Sequence, residues 1–94
     1  MRAEYDSRAE ALSIDLIEAE RWDGSDAIDD AHCTVALVGG RAANIELLSP
    51  RDHLELLGSA ARRHGLDAEA LEAAARSALA APDRVVVIEV GAPV

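Results

Sequence analysis

Apolar and charged positions alternate from the first residue. Met1, Ala3 and Tyr5 alternate with Arg2 and Glu4, and Leu12, Ile14 and Leu16 alternate with Ser13 and Asp15. A period of two is that of a strand with one face buried. Between the two runs, Asp6 and Ser7 can turn their side chains back onto nearby backbone N–H groups, which favours a bend. Met1 to Ile17 is therefore expected to form a β-hairpin with its apolar side chains on one face. A lone hairpin is marginal in water, so that face needs further strands or a helix.

The same reading carries along the chain. Cys33 to Val38 predicts a third strand, with Cys33, Val35 and Leu37 on one face. Gly39-Gly40-Arg41 predicts a turn, because paired glycines readily supply positive φ. Ala42 to Leu48 predicts a fourth strand, with Ile45 and Leu47 inward and Asn44 and Glu46 outward. Glu18 to His32 reads as an acidic loop anchored by Trp22 and Ile28, with Ala27-Ile28-Asp29 as a short edge segment. Ser49-Pro50-Arg51-Asp52 predicts a helix start with Ser49 as its cap. Leu54, Leu57 and Ala61 then recur at helical spacing up to Gly65. Asp67 opens a second helix, whose apolar face is Leu71, Ala74, Ala75, Ala78 and Leu79, and Pro82 ends it. Arg84 to Val90 predicts a last strand that is apolar on both faces, central in a covered sheet or used between subunits.

These elements predict an α+β fold: an antiparallel sheet of four N-terminal strands, a helical hairpin packed on one face, and a C-terminal strand rejoining the sheet. A single domain over 1–94 is expected, with hairpins in 1–48, helices in 49–81 and the final strand at 84–90.

Composition sharpens this picture. Half of the residues are apolar, yet the aromatics are only Tyr5 and Trp22. A core of Ala, Val, Leu and Ile buries little per side chain, so association with a second copy would add stability and a homodimer is the simplest form. The net charge is −9, and every basic residue is Arg. Such a balance repels phosphate backbones, which argues against nucleic-acid binding, and it attracts a basic protein partner. Cys33 is the sole cysteine, so no internal disulfide forms. No apolar run is long enough for a bilayer, and the N-terminal residues do not read as a signal peptide. No membrane association and a cytoplasmic location are the expectations.

One resemblance bears on function. Tyr5-Asp6 followed by Glu10-Ala11-Leu12-Ser13-Ile14, together with Ile45-Glu46-Leu47-Leu48, resembles the prokaryotic domain of unknown function 2283 family. The likeness spans roughly Met1 to Pro50. Ser13 departs from the aromatic residue usual in that family, and the C-terminal half is longer than its minimal domain. The resemblance supplies no catalytic residues, and it implies an antitoxin-like role as the partner of a small toxin.

Candidate chemistry is sparse. Asp23, Asp26, Asp29, Asp30 and His32 offer oxygen and nitrogen ligands to a divalent ion. Their spacing lacks the alternating carboxylates and distal Glu of a calcium loop, so a solvated acidic loop is the simpler expectation. Cys33 with His32, His53 and His64 invites a thiol nucleophile. Adjacent strand residues point to opposite faces, however, and Cys33 shares a face with Val35 and Leu37, so a buried thiol is expected. The helix pair around Gly65 has the outline of a DNA reader, but its second helix carries Glu69, Glu72 and a single Arg76. Gly39-Gly40 lacks the Lys and following helix of a phosphate loop. Trp22 is either an interface anchor or a cap on the small core. Trp22, Val86, Ile88 and Val90 are the interface candidates. The expected function is a non-enzymatic, cofactor-free interaction protein. The alternative is a small-ligand or divalent-metal binding domain that uses the acidic loop 23–32.

Overall fold

The computed structural model describes residues 1–89. Five strands precede the helices: β1 (Arg2–Asp6), β2 (Ala11–Asp15), β3 (Gly24–Asp29), β4 (Cys33–Val38) and β5 (Arg41–Leu48). A 3-10 turn (Pro50–Asp52), α1 (Glu55–His64), α2 (Ala68–Ala80) and β6 (Val85–Val87) follow. All pairings are antiparallel, and the sheet order is β3-β4-β5-β2-β1-β6. Both helices lie on one face of the sheet.

The turn chemistry acts as its residues dictate. Asp6 Oδ1 accepts hydrogen bonds from the N–H groups of Arg8 and Ala9, at 3.0 and 3.1 Å. Gly39 and Gly40 take φ of 56° and 78° and close the β4–β5 hairpin. Asp67 caps α2 by accepting from the Ala70 N–H, and Gly65, at φ 65°, ends α1.

The core is the helix-facing side of the sheet. Facing residues in antiparallel strands share a side, so Ala3, Ile14, Ile45 and Val35 form one buried row. Tyr5, Leu12, Leu47 and Cys33 form the next. Leu57, Ala60 and Ala61 of α1 and Leu71, Ala74, Ala75 and Ala78 of α2 pack onto these rows. Their alanines let the helices sit close, which offsets the shortage of large side chains.

Three expectations are corrected. The sheet has five strands before the helices, not four, because β3 lies inside the supposed loop Glu18–His32. Its helix-facing position is Asp26, a carboxylate where a strand pattern needs an apolar residue, and α1 satisfies that charge. Ser49 is not a side-chain helix cap: it takes φ 47°, left-handed, where a capping residue is extended, and its side chain makes no capping hydrogen bond, while its N–H donates to the Glu10 carbonyl at 2.8 Å. The α-helix therefore begins at Glu55, after the 3-10 turn. The last strand is neither long nor central; β6 spans Val85–Val87 at the sheet edge beside β1, and Val90 lies outside the described residues.

Candidate functional site

Among the described residues no helix covers the face of the sheet opposite α1 and α2, although Ala36 and Asn44 within it are buried. Strand pairing lays out two rows across it. One runs Ser25, Ala36, Asn44, Asp15, Arg2, Val87. The other runs Ala27, Thr34, Glu46, Ser13, Glu4, Val85. Three carboxylates, from Asp15, Glu46 and Glu4, share these rows with a single cation, Arg2. Asn44, only 3% exposed, donates to Ser13 Oγ and Asp15 Oδ1, both at 2.8 Å, and ties the middle of the face together.

The exposed large apolar side chains lie on β6 and just ahead of β3. Val85 and Val87 are 51% and 69% exposed, and Trp22 is 56% exposed. Trp22 and Val87 flank a groove of about 660 Å³ that is also lined by Arg2, Asp15, Glu18 and Glu20. Of the three expected interface residues that are described, Trp22, Val86 and Ile88, Trp22 alone is prominently exposed. Val86 faces Ala3 on the helix side, and Ile88 packs partly buried against the core. Val85 and Val87 went unnoticed in the sequence because an unbroken valine run carries no phase. The pairing with β1 sets it.

β6 also presents its backbone. The Ile88 N–H donates to the Met1 carbonyl at 2.8 Å, and Val86 faces Ala3, so the backbone groups of these residues turn toward β1. Those of Val85 and Val87 then turn outward. Among the described residues no strand pairs with that outer edge. The start of β6 is clamped: Asp83 accepts from the Ser7 N–H at 2.9 Å and the Ser7 hydroxyl at 2.6 Å, and these bonds hold its carboxyl below the ordinary 3.8.

The acidic stretch does not converge on one point. Asp23 accepts from the Gly39 N–H at 3.0 Å. Asp26, on the helix side, accepts from His64 Nε2 at 2.8 Å and Arg63 Nη1 at 2.9 Å. The His64 bond, aided by the Arg63 charge, holds the Asp26 carboxyl below 3.8. Asp29 accepts from the N–H groups of Ala31 and His32 and meets His32 Nδ1 at 3.1 Å, and its carboxyl is lowered by these bonds. Asp30 is exposed. Among the described residues no three His, Cys, Asp or Glu side chains are grouped to hold a metal ion. Arg63 and His64, cations in the last turn of α1, bridge that helix to β3. No local pattern reveals so distant a pairing.

Cys33 is buried, and burial together with the Asp29 charge pushes its thiol up to about 11. The His32 and His53 rings stack with centroids 3.8 Å apart. A smaller cleft, about 420 Å³, lies beside the α1–α2 corner between Leu16, Ala42, His64 and Leu71. No described helix is long and apolar enough to cross a membrane.

The chain matches no protein-family model, no curated protein and no solved structure.

Proposed function

We propose that this chain is a non-enzymatic cytoplasmic interaction module whose helix-free sheet face receives a basic protein, in the manner of an antitoxin. The observation that carries the reading is the composition of that face. Asp15, Glu46 and Glu4 stand there against Arg2 alone, and Glu18 and Glu20 line the adjoining groove. A chain of net charge −9 attracts a cationic partner over several ångströms and repels a polyanion. Trp22, beside the acidic rows, supplies the rigid apolar anchor that such contacts favour.

The test is capture from the native cell with tagged wild-type protein, a Glu46→Arg variant and a Trp22→Ala variant. A basic protein held by the wild type, released at high salt and lost with either variant, supports the reading. Absence of any basic partner, or capture indifferent to both substitutions, refutes it.

A further inference from the structure

We propose that β6 pairs with β6 of a second copy across a two-fold axis, antiparallel, with Val85 of one copy facing Val87 of the other. The proposal deepens the interaction reading above by assigning one edge of the module to self-association.

The two sheet edges differ in kind. β3, at one end, carries a bulge between Ala27 and Asp29 and a charged residue, Asp26, pointing at the helix side. Bulges and inward charges are the devices that keep an edge from pairing with another chain. β6, at the other end, is Val85-Val86-Val87 with no charge, no proline and no bulge. Its outward backbone groups belong to Val85 and Val87, whose side chains are also the exposed aliphatic ones. A second strand added there gains hydrogen bonds and covers apolar surface together.

Charge selects the register. Within β6 only Val85 and Val87 turn their backbones outward, so three antiparallel registers pair them. Val85 facing the second copy's Val85 continues the rows as Glu4, Val85, Val85, Glu4, with like charges at both ends. Val87 facing Val87 gives Arg2, Val87, Val87, Arg2, again like charges. Val85 facing Val87 gives Glu4, Val85, Val87, Arg2, and its symmetry mate repeats that order reversed. Only this register sets opposite charges across the valine pair, and it does so twice because of the two-fold axis. The α-carbons of Arg2 and the partner's Glu4 would stand about 14 Å apart, three strand spacings. Side chains of this length can lean over the valines and bring the charges within the screening length of about 8 Å. Each facing valine pair exchanges both backbone bonds. The product is one continuous sheet with both helical hairpins on the same side.

Sedimentation equilibrium from micromolar to submillimolar protein tests the pairing. A mass of twice 9.9 kDa at the upper end is expected. Val87→Pro removes an outward N–H and no internal one, so it abolishes the dimer while circular dichroism stays native. Arg2→Glu and Glu4→Arg each weaken it roughly tenfold, since two symmetric contacts turn repulsive. The double variant carrying both changes restores wild-type affinity, because the row is simply reversed. In the wild type, amide exchange at Val85 and Val87 slows as concentration rises, a readout that stands even if Val87→Pro fails to fold. A monomer across the whole range overturns the pairing, and capture of a basic protein then decides the broader reading by itself. A dimer unmoved by Val87→Pro overturns this edge and leaves self-association to another surface. Failure of both mass and capture takes down both readings.

Discussion

Replacing Ile45 by alanine is the sharpest test of how this small core is held. Ile45 is fully buried on β5, between Ile14 and Val35 in the central row, with alanine-rich helices above it. Truncation removes three carbons, worth about 2.4 kcal/mol at ~0.8 kcal/mol each. A cavity term adds to this when the surroundings cannot close in. Here they cannot. The strand is hydrogen-bonded on both sides, and most of the buried helix residues that cover these rows are alanines with no atoms to swing into a void. The expected loss is about 3–4 kcal/mol. A chain of 94 residues has a total stability of roughly 5–14 kcal/mol, so the substitution removes a large share. The midpoint of thermal unfolding should fall by about 12–25 °C. Urea unfolding followed by far-ultraviolet circular dichroism at fixed protein concentration measures the change. The exposed control Val87→Ala should stay within about 0.5 kcal/mol under conditions where the chain is monomeric. A loss below about 1 kcal/mol for Ile45→Ala would mean that the row is loosely packed, and the account of the core given above would fail.

Other outcomes follow from single features. Asp26, Asp29 and Asp83 are each held below 3.8 by hydrogen bonds present only in the folded chain, so the unfolded chain binds protons first as pH drops. The stability they contribute is complete above 3.8 and is lost as pH falls from there through the lowered folded values. Urea midpoints that stay flat or rise between neutral pH and about 2 contradict this. Cys33, buried with a thiol at about 11, should react with a thiol reagent only at the rate of unfolding. Fast labelling of the folded protein refutes its burial. Gly40→Ala meets no neighbouring atom, so its cost should be backbone strain alone at φ +78°, about 1 kcal/mol in the urea midpoint. An unchanged midpoint denies that the turn requires glycine.

What could be read from the sequence was local. Asp6, Gly39-Gly40, Gly65 and Asp67 act through groups a few residues away, and each does what its chemistry predicts. The alternation in Met1–Leu16 and Cys33–Leu48 marks strands because a polar face and an apolar face meet there. Only the Ala27–Asp29 part of β3 was legible, as an edge segment, and its first half escaped notice for a long-range reason. Asp26 is acceptable on the covered face only because Arg63 and His64 arrive from α1, far along the chain. Ser49 misled for a similar reason: its N–H meets the Glu10 carbonyl of the neighbouring β1–β2 turn, and its backbone is left-handed instead of extended as a cap needs. The candidate site was half legible. Trp22 stood out as a lone indole among carboxylates, whereas the exposed valines depend on register with β1, which no run of valines can encode.

The pairing of β6 with β1 joins residues from nearly opposite ends of the described chain. On a ribosome, β1 emerges early and β6 only once both helices have been made, so the outer flank of β1 waits uncovered through most of translation. Contacts between distant segments also close slowly once the chain is free. The Ser7–Asp83 clamp therefore fastens the most sequence-distant of the described strand pairings, the one whose two halves are made furthest apart in time.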